Sequence, residues 1–154
     1  MENASETARE IYEFVAKAAV DADVFDGVKI LDQGLDCRAR ASAAPAAYRV
    51  EEDEGGLWVS LVMTDRWLSE SIEANLLHSG DKLEELLDEE LAELGYEGPS
   101  LKYEHFRSDD MLFTFRSRIP TGSGQTGSTV ATFLLAYEAC FRNLGDMYKA
   151  DGSE

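Results

Sequence analysis

Residues 48–63 read YRVEEDEGGLWVSLVM, and the spacing of side chains in this stretch decides the fold class. Tyr48 and Val50 alternate with Arg49 and Glu51, and Leu57, Val59, Leu61 and Met63 alternate with Trp58, Ser60 and Val62. A period of two places each set on one face of a strand, and the acidic run Glu52 to Gly56 reads as the turn of a hairpin. A second hairpin is predicted over about residues 100–119. There Leu101, Tyr103 and His105 share one strand face, Met111, Phe113 and Phe115 share another, and Ser108, Asp109 and Asp110 make the turn.

Helical spacing surrounds the two hairpins. Over residues 7–20, Ile11, Phe14, Val15, Ala18 and Ala19 form an apolar stripe, with Thr7 and Glu10 as a capping box. Over residues 81–94, Asp81 and Glu84 start a helix with the stripe Leu83, Leu86, Leu87, Leu91 and Leu94, and Gly95 ends it in the left-handed conformation. From Ser128 to about Lys149 a last helix turns Val130, Phe133, Leu134, Tyr137, Phe141, Leu144 and Tyr148 inward. Two stretches are less periodic. In residues 21–45 a short strand at Val28, Ile30 and Leu31 is interrupted by Gly27, Gly34 and an Ala/Arg-rich run around Pro45, which reads as a connection. Over residues 66–77, Leu68, Ile72 and Leu76 suit a helix, whereas Ser69, Ser71 and Glu73 suit the wet face of a strand; exposure of Glu70 favours the helix.

The expected fold class is therefore α+β: an antiparallel sheet from two hairpins, with a further strand if 66–77 is extended, packed against amphipathic helices. One domain over residues 1–154 suits this length, with ends at 1–6 and 150–154 free to fray. A content of 44% hydrophobic and 10% aromatic residues argues against a disordered chain.

The formal charge of −17 removes the electrostatic gain that nucleic acid or an anionic membrane surface would offer, so neither is expected as a partner. Solubility, adaptation to salt or a basic partner would each account for the acidity. MENASETARE has neither the charged nor the apolar region of a secretory signal, and no run reaches spanning length, so a cytoplasmic location is expected. Cys37 and Cys140 lack zinc or redox spacing, and with His78 and His105 equally scattered no metal is expected.

The string GSGQTGST at 122–129 has the glycine separation of a phosphate-binding loop but carries Ser128 where that loop needs lysine, and it follows an antiparallel hairpin. A flexible connection ending in a helix cap is the plainer reading, and no nucleotide or other cofactor is expected. A weaker form remains, in which Gly127, Ser128 and Thr129 at the helix start join Arg116, Arg118 and, across the hairpin, Arg107 to hold a small anion. The same arginines could instead pair with the segment Asp81 to Glu93, whose face Glu85, Asp88, Glu89 and Glu93 reads as solvated, as a dock for a basic partner or as a mimic of nucleic-acid phosphates. Trp58 and Trp67 are candidates for a partner-binding surface, since large aromatics anchor interfaces. Neither histidine has a sequence neighbour that completes a catalytic arrangement.

The order helix, hairpin, ambiguous element, helix, hairpin, long helix in a small acidic chain resembles the type III secretion chaperones and the related YbjN-type bacterial proteins. The resemblance covers about residues 7–149 and rests on element order, charge and length. It implies a bacterial source, a homodimer that holds an extended segment of a partner on apolar patches, no catalytic residues, and an extended conformation for Arg66 to Leu77. The expected function is thus a non-catalytic protein-binding or chaperone-like module with an unknown protein partner; a sheet edge left open could add a partner strand or a second copy. The alternative is a small-anion or ligand-binding protein, or an enzyme, built on the Gly122 to Thr129 loop and its arginines.

Overall fold

The hairpin anticipated at 48–63 forms the middle of a six-stranded sheet in a computed structural model that describes residues 8–31, 34–40, 45–53, 56–80, 82–96, 102–107, 111–119, 126–142 and 144. In chain order the elements are α1 (Ala8–Ala22), β1 (Phe25–Leu31), β2 (Gly34–Ala39), β3 (Ala46–Asp53), β4 (Gly56–Met63), α2 (Arg66–Ser79), α3 (Leu83–Glu93), β5 (Glu104–Arg107), β6 (Phe113–Arg118) and α4 (Thr126–Phe141). The strands lie in the order β1-β2-β3-β4-β6-β5, and every neighbouring pair is antiparallel. Four helices against this sheet make the α+β fold that the two periodicities imply.

Alternation along the strands sends Tyr48, Val50, Val59, Leu61, Met63 and Phe115 to one face, where each is at most 1% exposed. The helices pack on that face. Running antiparallel to β6, α4 brings the Tyr137 hydroxyl to Ser117 and sets the Phe141 ring 5.1 Å from Phe115. Edge-to-face packing of Tyr96 on Phe133, 5.1 Å apart, attaches the end of α3 to α4, while α1 packs on α4, β1 and β2. Each Leu or Phe fully buried this way contributes about 1.5–3 kcal/mol.

One stretch differs from the reading of the residues, and a second differs only from what the resemblance implied. The short strand read at Val28, Ile30 and Leu31 is β1, but 34–39, read as a connection, form β2, antiparallel to β1, with Leu35 and Cys37 facing the core opposite Val50 and Tyr48. Gly34, which suggested a turn, is a buried strand residue: the carbonyl oxygen of Val50 and the backbone of Glu51 occupy the space that a Cβ would need. Beyond it, Arg40 donates from Nη1 to the Asp23 carbonyl (2.7 Å) and from Nη2 to the Phe25 carbonyl (2.9 Å), tying the α1–β1 junction to the end of β2.

Residues 66–77 form the helix that the exposure of Glu70 favours, and not the further strand that the resemblance implied. Asp65 caps α2 by accepting from the Leu68 N–H at 3.0 Å, and Gly80 closes it at φ 79°. At the end of α3, Gly95 takes φ 91° as expected, with Tyr96 N–H bonding to Leu91 and Gly95 N–H to Ala92.

Some predicted stripes shift. Phe14 is 49% exposed because the buried side of α1 is centred on Ile11, Tyr12, Val15 and Ala19, roughly a third of a turn away. Leu94 and Met111 are likewise exposed, lying past the last turn of α3 and before the first residue of β6. Val130, Phe133, Leu134, Tyr137, Phe141 and Leu144 are buried as expected. Thr7, Asp81, Leu101, Ser108 to Asp110, Gly122 to Gln125 and residues 145–154, with Tyr148 and Lys149, lie outside the described residues.

Candidate functional site

Whatever the alternation sends inward on β2, β3, β4 and β6, the intervening residues occupy the opposite sheet face, on which no described helix packs. Pairing aligns four of them with Lys29 of β1 and Glu104 of β5 into one row across every strand: Lys29, Asp36, Arg49, Ser60, Arg116 and Glu104. The Arg49 Nε donates to Asp36 at 2.8 Å, and the Arg116 Nε to Glu104 at 3.0 Å. Between the two arginines lies Ser60, 4% exposed.

Arg116 also belongs to a stack. Its guanidinium carbon is 3.9 Å from the centroid of the Trp58 ring and 5.1 Å from that of Phe106, and Arg118 covers the Trp58 ring at 5.7 Å. Phe106, Arg116, Trp58 and Arg118 thus alternate ring and cation across β5, β6 and β4. Gly56 leaves the room, since a Cβ there would collide with the Arg118 guanidinium. Among described side chains the face carries five cations, Lys29, Arg38, Arg49, Arg116 and Arg118, against Asp36, Glu51 and Glu104. At these paired positions the described cations outnumber the described carboxylates, on a chain of −17. Lys29, Arg38 and Arg118 are exposed.

The structure therefore joins Trp58 to Arg116 and Arg118 but separates the other anion-site candidates from them. Arg107 pairs in register with Phe113, reaches the Met111 sulfur at 3.0 Å, and belongs to the helix-side row of β5. Gly127, buried, Ser128, exposed, and Thr129, half-buried, open α4, which packs on the helix side of the sheet. Trp67 lies 77% exposed on α2, and His78 is exposed near its end.

His105 is where sequence reasoning missed an arrangement. Its Nε2 lies 3.2 Å from the Ser69 Oγ and its Nδ1 2.8 Å from a Glu73 carboxylate oxygen, with the ring stacked on Phe115 at 3.8 Å and 8°. Once residues 66–77 are read as a helix, Ser69 and Glu73 share a face as i and i+4, but nothing in their spacing points to His105. Burial pushes the His105 pKa down while Glu73 pulls it up, and burial is the larger effect.

The remaining buried groups are chemically quiet. Burial pushes the thiols of Cys37 and Cys140 up to about 12, which keeps both protonated near neutral pH. Glu138, with its side chain 9% exposed, is held by Arg142 at 2.6 Å. Among the described residues no three His, Cys, Asp or Glu converge as a metal site, and no helix is long and apolar enough to cross a membrane. The chain matches no family model, and no curated protein or solved structure is significantly similar to it.

Proposed function

We propose that the chain is a protein-binding, chaperone-like module of a bacterial cytoplasm, working as a homodimer, and that its sheet face holds an extended acidic segment of a partner. The observation that carries this reading is the concentration of cations on that face. On a chain whose overall acidity disfavours anions, an acidic segment gains where Lys29, Arg38 and Arg118 stand exposed on one face, Arg118 beside the aromatic stack. Binding of this kind needs no catalytic group.

The sheet edges are poorer sites for a partner strand. The outer strand β1 has a register shift between Phe25 and Gly27 and an exposed Lys29, and the other outer strand, β5, has four residues. Support for a contact between copies comes from α2, whose outer side exposes Trp67 at 77% and Leu77 at 86%. The small-anion alternative draws less support, because its helix start and its arginines belong to opposite sides of the sheet.

The test is fluorescence anisotropy of labelled acidic decapeptides, with neutral decapeptides as controls, on the intact chain and on an Arg38→Glu/Arg118→Glu variant. Tighter binding of the acidic set, weakened by salt and lost in the variant, is the expected result. Equal binding of both sets to both proteins would refute the reading. Sedimentation of the intact chain tests the dimer.

A further inference from the structure

The three groups at the seam between α2 and β5 stand in the order hydroxyl, imidazole, carboxylate, and on the correct ring nitrogens for a relay. The carboxylate of Glu73 accepts from Nδ1–H of His105 at 2.8 Å, which leaves the Nε2 lone pair aimed at the Ser69 hydroxyl 3.2 Å away. Ser69 and Glu73 come from successive turns of one helix, so their separation is set by the backbone. The parallel stack on Phe115 fixes the plane of the imidazole between them. Nucleophile, base and orienting group are recognised by such roles and geometry, irrespective of chain order.

From this geometry we propose that Ser69 is a nucleophile, activated by His105 as general base and oriented through Glu73, that takes the acyl group of small activated esters. This site is independent of the charged sheet face. Ser69 Oγ bonds to the ester carbonyl carbon while its proton passes to His105 Nε2. Collapse of the tetrahedral intermediate breaks the ester C–O bond, and the proton leaves with the alcohol. Water then attacks the acyl-serine, giving up a proton to His105 and returning it to Ser69 as the carboxylic acid departs. Nothing is oxidised or reduced.

Access sets the substrate size. Ser69 is 3% exposed, whereas the His105 side chain is 22% exposed and that of Glu73 52%, so solvent reaches the imidazole and the carboxylate more readily than the hydroxyl, and a small reagent is the one to use. Leu68, Ser69 and Ile72 are the buried residues of α2, so a short apolar contact holds the helix over the sheet beside Ser69.

The experiment uses the intact chain and a small alkyl fluorophosphonate, which loses fluoride as its phosphorus bonds to Oγ, with peptide mapping by mass spectrometry. Aryl acetate hydrolysis serves as the second readout. Phosphonylation is expected at Ser69, absent in Ser69→Ala, and slowed about 10²–10⁴-fold in His105→Gln, the usual share of a general base. Glu73→Gln, which preserves shape and is the safeguard should the other variants misfold, is expected to slow labelling while leaving the circular dichroism spectrum unchanged. Labelling spread over other serines, or none at Ser69 in the folded chain, would overturn the proposal, as would an unchanged rate in a folded Glu73→Gln.

Discussion

The guanidinium carbon of Arg116 sits 3.9 Å from the centroid of the Trp58 ring, reached diagonally across the β4–β6 pair, two residues along β6 from the directly opposed Arg118. Trp58 is 7% exposed on a sheet face where no described helix packs, so the cation replaces the apolar partner that a helix would provide.

This relationship makes Arg116 and Arg118 unequal. Arg116→Lys keeps the charge but loses the flat contact with Trp58 and Phe106, and should cost about 1 kcal/mol. Arg118→Lys, from an exposed cation 5.7 Å from the same ring, should leave stability nearly unchanged. Trp58→Ala should cost about 3–5 kcal/mol. Urea denaturation measures all three, and equal losses for the two lysine variants would contradict the stack.

Helix registers are tested by two phenylalanines. Phe141, fully buried against Phe115 and Tyr137, should cost about 3–5 kcal/mol on truncation to Ala. Phe14→Ala, at a site 49% exposed, should cost below about 1 kcal/mol despite its place in the apolar stripe. Denaturant midpoints in the reverse order would mean that the helices pack by other faces.

Stability should depend on pH through His105. Its folded pKa lies below the ordinary 6.5, so below that value the unfolded chain binds a proton more readily than the native one. The contribution is fully present above 6.5 and is lost as the pH falls through the lower folded value. The groups facing the ring are Ser69 and Glu73 from α2 and Phe115 from β6. Glu138 acts in the opposite sense, because burial raises its carboxyl and acidification relieves that charge. The difference between the intact chain and His105→Gln therefore isolates the histidine. Unfolding curves at pH 7.5 and 5.5 should show a smaller loss on acidification in the variant.

Much of the fold was legible because its signals are local. Alternation from Tyr48 to Met63 marks a strand pair, and the leucines from Leu83 to Leu91 mark a helix, whatever they pack against. Where local signals conflict, reading either fails, as at Gly34, or leaves two conformations open, as at 66–77. Gly34 has the composition of a turn, yet it is a strand residue because β3 approaches too closely for a side chain. At 66–77 the serines suggested a wet strand, but the Asp65 cap and the Leu68 to Ile72 stripe prevail. Arg107 lies near Arg116 in sequence and in the hairpin, but alternation puts it with the opposite row.

The sequence by itself determined that this is an acidic α+β chain with antiparallel hairpins and amphipathic helices, since periods of two and 3.6 depend only on neighbouring backbone geometry. Only the tertiary structure decided that β6 lies between β4 and β5. That one placement sets Arg116 between Trp58 and Phe106, and it brings His105 to Ser69, 36 residues away in the chain. The physical reason is that side-chain meetings at such separation are set by strand order and register, which follow from how the whole core packs and have no local spacing of their own.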